Sequence, residues 1–323
     1  MTPTVGLSQR AGRRLAAILA ASPVARAIVL WGATAPRRWR TDFTRRALEA
    51  IARRAPDPPP LIDTTYGIAD HLRLSAPSHK HSALFGRPDR DPRDGPVIEL
   101  AKHLARDAGT FIDIGANDGI YTFSLAVDRT LAVDLHAFEP DPALFERLKH
   151  NAERNHIKAT LNPLAISDAS GSATFYRNLS SDVAGSLLPH DGDMVAVEVE
   201  VTTVAEYLRA HDIAQACIKI DVEGAGVAAW NGARPAIERI KWLIMEIIAP
   251  EAHARLIDQI LATPGWSCYY IRGYELVRVR SSDERPHRDY LFDWLFCPAT
   301  PDQLGQVLRG TRFRIIDARA AAT

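Results

Sequence analysis

The middle of the chain repeats one pattern: a short apolar run, a turn, then a stretch with helical periodicity. Residues 110–114, 135–138, 160–166, 217–220 and 242–247 are apolar runs of strand length. Helical stretches at 99–105, 121–127, 141–155, 204–211 and within 225–240 lie before and between them. Asp141 as N-cap with Pro142 at the first helical position is a strong helix start. Pro163 weakens the first half of the third strand, and Pro235 limits how far the helix after 225 can run. Residues 173–176 and 195–201 alternate apolar with polar, which predicts an inserted hairpin or edge strands. Residues 266–271 and 274–279 predict a terminal hairpin over Arg272 and Gly273, followed by a last apolar strand at 292–296.

Strands that alternate with helices predict right-handed crossovers and an α/β fold with a doubly wound, mostly parallel sheet. Ligands of such sheets bind beyond the carboxyl ends of the strands. The loop 113–119, Glu139, Asp168, Asp221 and Glu223 are thereby expected along one rim.

The first 60 residues differ in character. Residues 7–54 read as helical in two or three pieces, interrupted by Pro23 and Pro36, and Pro56, Pro58, Pro59 and Pro60 form a stiff linker. The expected organisation is a basic helical extension with its linker over 1–60, a main domain over 61–300 and a C-terminal tail over 301–323. Within the main domain, a weak strand at 68–74 and a polar loop at 76–95 precede the core.

Composition adds limits. The 323 residues are 46% apolar and 24% charged, which predicts a packed core. Formal net charge is zero, so no whole-chain attraction to nucleic acid is expected. Residues 1–55 nevertheless hold eleven Arg against two acids, Asp42 and Glu49. Such a segment fits a helical cap on the main domain, or a peripheral contact with an anionic membrane surface. Cys217, Cys268 and Cys297 form no C-x-x-C pair, and no run of eighteen apolar residues exists. A cytoplasmic protein in a reducing compartment is expected.

The turn after the first strand reads Gly115-Ala116-Asn117-Asp118-Gly119. Glycines at 115 and 119 allow a tight turn and close approach to a ligand. Glu139 ends the next strand, where a carboxylate can accept both hydroxyls of a ribose. A dinucleotide needs G-x-G-x-x-G to seat its pyrophosphate, and Asn117 replaces the middle glycine. Asp113 would also repel a pyrophosphate, yet suits the cationic amino-acid end of S-adenosylmethionine.

Four strings then carry a resemblance: FIDIGANDGIYT at 111–122, AFEP at 137–140, AISDASG at 165–171 and IKIDVEG at 218–224. Together with Leu84, Phe85 and Gly86 they resemble the FkbM-family methyltransferases, over roughly residues 63–300. The resemblance implies a class I, seven-stranded Rossmann-like methyltransferase fold and S-adenosylmethionine as cofactor. It implies an enzyme that methylates hydroxyls of sugars, glycans or secondary metabolites. Carried over by position, Asp113, Gly115, Asn117 and Gly119 surround the amino-acid end of the cofactor. Glu139 binds its ribose, Ser167 and Asp168 lie beside the adenine, and Asp221 and Glu223 stand where the acceptor comes. Two positions depart from the family: Gly226 where Glu is common, and Asp293 where Asn is frequent.

A hydroxyl acceptor must lose its proton, so a carboxylate within reach serves as base. Asp221 and Glu223 are two apart just past a strand end, with Lys219 in phase, and point the same way if strand geometry persists. Lys219 is read as part of this catalytic set or as an ion pair that orders the turn. Two carboxylates can also hold Mg²⁺, with Glu246 as a candidate third ligand, although no metal is predicted. His136 reads as core, and His287 as a rim loop. A nicotinamide oxidoreductase and a catalytically inactive methyltransferase-like module share the fold class and stay open from sequence.

Overall fold

A computed structural model describes residues 61–66, 72–77, 94–178, 185–189, 194–247, 250–284 and 293–317. The basic extension, the linker, residues 84–86 and His287 lie outside the described residues. The chain divides into two compact units, Met1–Asp91 and Pro92–Thr323. In the first, β1 (Leu61–Tyr66) and β2 (Leu72–Pro77) pair antiparallel. The strand expected at 68–74 is thus displaced, its second half lying in β2.

The second unit opens with α1 (Asp94–Ala108), longer than its apolar pattern suggested. Then come β3 (Thr110–Ile114), α2 (Ile120–Ala126), β4 (Asp134–Phe138) and α3 (Pro142–Arg154). The third strand divides into β5 (Thr160–Asn162) and β6 (Ala165–Ile166). Next are β7 (Gly171–Asn178), β8 (Met194–Thr202), α4 (Val204–Ala210), β9 (Ala216–Ile220) and α5 (Gly226–Ala233). A 3-10 turn at Arg234–Arg239 follows, as Pro235 forewarned, and leads into β10 (Ile240–Glu246) and α6 (Pro250–Leu261). The chain ends with β11 (Ser267–Arg272), β12 (Glu275–Val279), β13 (Asp293–Cys297), α7 (Pro301–Val307) and β14 (Arg314–Asp317).

Nine strands form the main sheet in the order β14-β12-β11-β13-β10-β9-β3-β4-β5. From β5 to β10 every neighbour pair is parallel. The sheet is doubly wound about β3, the first strand laid down, with chain order running outward on both sides. From β10 to β12 the direction alternates, because β13 inserts antiparallel between β10 and β11, and β14 then runs parallel to β12. Seven strands, from β5 to β11, make the expected Rossmann-like sheet. The outer strand of the terminal hairpin, β12, and then β14 extend it. Residues 301–317, expected as a tail, therefore supply a helix and the edge strand.

The central strands owe their place to composition. Every residue of β3 and β9 is buried, as strands covered by helices on both faces must be. Ile112, Ile218, Leu243, Trp230 and Phe296 belong to one continuous core. Helix α3 starts where expected: the Asp141 carboxylate accepts from the N–H groups of Ala143 and Leu144 at 2.8 and 3.2 Å. The same carboxylate pairs with Arg177 on β7. Asp141→Ala removes a cap worth about 1 kcal/mol together with a part-buried ion pair. Urea denaturation should show a stability loss of about 1–2 kcal/mol, and an unchanged midpoint would refute the role.

Pro163 explains the divided strand. It lacks an N–H to continue the ladder, and the chain leaves the main sheet there. Ala165 and Ile166 then pair with β8 in a separate three-stranded sheet, order β6-β8-β7. The alternation at 173–176 and 195–201 marks this hairpin, whose inner face packs Ala165, Phe175, Val199 and Val201. Among the described residues no helix is long and apolar enough to cross a membrane. Cys217, Cys268 and Cys297 are buried free thiols.

Candidate active site

The turn after β3 is stitched to the end of β4. The N–H groups of Gly115 and Ala116 both donate to the Phe138 carbonyl, at 3.0 and 2.9 Å. Gly115, Asn117 and Gly119 take left-handed backbone angles, φ 83°, 51° and 86°. Asn117 replaces a glycine here at modest cost, since Asn is among the side chains that tolerate this region. Its N–H donates to Glu139 Oε2 at 2.9 Å. The other oxygen, Oε1, accepts from the Asp141 N–H at 3.0 Å. Glu139 is 4% exposed, held by backbone donors on both sides. Each carboxylate oxygen has two lone pairs, so this set can still accept hydroxyl donors such as those of a ribose.

Asp113 lies deeper, 2% exposed. Its Oδ2 accepts from the N–H and the hydroxyl of Thr122, at 3.1 and 2.7 Å, which fastens α2 to β3. Burial raises its proton affinity to a pKa of about 6, against the opposing pull of Thr122 and Lys219. Asp113 and Lys219 are register partners on neighbouring strands.

Lys219 is 1% exposed and forms the centre of a charged cluster. Its ammonium lies 3.2 Å from Asp221, 3.4 Å from Asp293 and 5.0 Å from the centre of the Tyr121 ring. Burial alone would lower its pKa, yet Asp221, Asp293, Glu246 and Asp113 together raise it. The ammonium is thus permanent. Carboxylate oxygens of Asp221, Glu223 and Glu246 lie within 4.8 Å of one another. Burial, then the charge of Asp221, pushes Glu223 up to about 7. The same two causes push Glu246 far higher, so that it keeps its proton. A divalent cation at this set would have to compete with the Lys219 ammonium already paired with Asp221.

The spacing of Asp221 and Glu223 predicts that strand phase points them the same way, but strand geometry does not persist that far. β9 ends at Ile220, and the turn places Glu223 at φ 29° and Gly224 at φ 87°. It is this left-handed turn that returns the Glu223 carboxylate to Asp221. The turn also touches the glycine loop: the Asp221 N–H donates to the Ile114 carbonyl at 2.9 Å. A Cβ on Gly115 would lie 1.9 Å from the Asp221 carbonyl oxygen.

Asp113, Gly115, Lys219, Asp221 and Glu223 are therefore brought together, and Asn117 and Glu139 join them through the loop. Ser167 and Asp168 directly follow β6 at the small sheet. The Ser167 N–H donates to Thr202, and its carbonyl packs on Gly232 of α5, where a Cβ would lie 2.0 Å away. Asp293, which the sequence singled out only as a departure from the family pattern, joins the charged cluster. It begins β13 and pairs in register with Glu246. His136 is core, its Nδ1 2.8 Å from the Tyr207 hydroxyl.

A doubly wound sheet, a left-handed glycine loop after its first strand and a carboxylate at the end of the second define a Rossmann-like fold. Residues 113–272 match the methyltransferase FkbM domain, and the chain belongs to that family. It is 26% identical over 156 residues to hexuronic acid methyltransferase AglP of Haloferax volcanii, covering 47% of this chain and 62% of that protein. It is 25% identical over 173 residues to 31-O-demethyl-FK506 methyltransferase FkbM of Streptomyces tacrolimicus, covering 44% of this chain and 66% of that protein. The chain thus spans just under two thirds of the length of both relatives. A solved structure of an O-methyltransferase from Bacillus cereus in complex with SAH aligns over 62% of this chain and 78% of its own. That alignment has a TM-score of 0.37 at 12% identity.

Proposed function

We propose that the chain transfers a methyl group from S-adenosylmethionine to a neutral hydroxyl of a sugar, a glycan or a secondary metabolite. The observation that carries this reading is the contact between Gly115 and the Asp221 carbonyl. It sets the glycine loop directly beside a carboxylate cluster whose member Glu223 exchanges its proton near neutrality. The cofactor, when bound, supplies an activated methyl on a sulfonium. The chain supplies alignment and a proton acceptor. Glu139 holds the ribose, and the loop of Gly115, Asn117 and Gly119 borders the amino-acid end. Asp113 sits beneath that loop and fixes α2 rather than reaching outward.

Glu223 takes the proton of the acceptor hydroxyl as the oxygen–methyl bond forms. Its affinity near 7 makes it both ionised and basic at neutral pH. The Asp221 carboxylate is already paired with Lys219. The charge of Asp221, after burial, raises Glu223.

Carboxylates around the acceptor position favour a neutral hydroxyl over an anionic carboxyl acceptor, which they would repel. The test is chemical. The protein is incubated with methyl-labelled S-adenosylmethionine and separate panels of neutral sugars and uronic acids. A hydroxyl product is an ether and survives alkali, whereas a carboxyl product is an ester and is cleaved. Alkali-stable label is expected. Label that is wholly alkali-labile would replace hydroxyl with carboxyl transfer. Absence of S-adenosylmethionine binding by calorimetry would sink the reading altogether.

A further inference from the structure

The small sheet reaches the rim through residues 185–189. Ser186 lies against β7, exchanging both backbone hydrogen bonds with Tyr176 at 2.8 and 3.0 Å. Its neighbours fasten it there. A Cβ on Gly185 would lie 2.8 Å from the Phe175 ring, so that glycine sits tight on the hairpin. Leu187 packs on the core of Ala165, Phe175, Val199 and Val201. Ser186 is itself 2% exposed. Its hydroxyl accepts from the Leu188 N–H at 3.1 Å and donates to the Glu223 backbone carbonyl at 2.6 Å.

That carbonyl belongs to a residue whose backbone needs holding. Glu223 is non-glycine at φ 29°, a region that side chains disfavour. The groups around its carboxylate are Asp221 on the same turn, Lys219 from β9 and Glu246 from β10. Asp293 of β13 faces the same cluster through Lys219.

We infer that Ser186 is a positioning residue for Glu223: its hydroxyl, anchored by the small sheet, holds the Glu223 turn and fixes that carboxylate against Asp221 and Glu246. The inference rests on the methyl-transfer reading, which gives Glu223 its task. Ser186 need not touch the substrate, since it acts through the backbone.

The test reads Glu223 directly and needs no acceptor. Glutamate side-chain carboxyl carbons are labelled with ¹³C in the full-length protein, and the Glu223 signal is assigned by its loss in Glu223→Gln. The wild-type signal should titrate near 7. In Ser186→Ala the midpoint should fall toward the ordinary 4.5, as the freed carboxylate gains water and leaves Asp221. Ser186→Cys, nearly isosteric but a poor donor, should fold and shift the same way if the alanine variant does not fold. Leu187→Ala loosens the same segment but keeps the hydroxyl, so it should lower the melting temperature and move the midpoint far less than the Ser186 variants do. A midpoint unmoved in the folded Ser186 variants, or moved equally by Leu187→Ala, overturns the inference. Calorimetry with S-adenosylmethionine on wild type scores the methyl-transfer reading separately, because the Glu223 titration is read whether or not the cofactor binds.

Discussion

Glu223→Gln is expected to lower turnover by about 10²- to 10⁴-fold, the range for loss of a positioned general base. The variant keeps the volume and loses the proton acceptor. Burial and the nearby Asp221 raise Glu223 from 4.5 to about 7. The active form is the ionised one, so wild-type turnover should rise with pH, tenfold per unit well below 7, and level off above it. The Gln variant should lose that rising limb. Affinity for S-adenosylmethionine should change little, because Glu139 and the glycine loop are untouched. Initial rates between pH 5 and 9 decide it. A Gln variant that keeps the wild-type limb would move the base to another group.

Gly115→Ala should do wider damage. The new methyl would lie 1.9 Å from the Asp221 carbonyl oxygen, and backbone cannot yield as a flexible side chain does. Gly115 also sits at φ 83°, where a Cβ costs about 1–2 kcal/mol. Either the glycine loop or the Asp221 turn must move by about 1 Å, a misplacement that can cost about 100-fold in rate. Loss of cofactor affinity, turnover and stability together is expected, read by calorimetry, initial rates and urea denaturation. A variant with wild-type stability and turnover would show that the two loops are not in contact.

Much of this arrangement was legible before any coordinates. The apolar runs of β3, β4, β9 and β10 are strand-length and buried, so their periodicity and their helices agree. Asp141 and Pro142 announced α3 because capping is local chemistry. The rim followed from strand ends alone. What escaped was set by longer-range geometry. β6 has two residues, too few to carry a periodic signal, and its transfer to a second sheet hangs on Pro163. Asp293 reaches the cluster only because β13 runs backward between β10 and β11, so its first residue lies at the rim where its neighbours end. Glu223 was placed near Asp221 on a strand argument, whereas a left-handed turn achieves it. Ser186 gave no signal, since its partner is a backbone carbonyl 37 residues away.

The departure of the chain at Pro163 has one more consequence. The hairpin that follows leaves and returns at one place: Gly171 lies opposite Val201, and β6 runs beside the end of β8. An excursion whose two ends already meet can be lengthened, shortened or exchanged without pulling on the strands around it. Residues 171–178 and 194–202 thus form an excursion closed at its base, and Ser186, which lies between them in sequence, ties it to the Glu223 turn. Relatives built on the same sheet would be free to differ in this excursion while the central strands stay as they are.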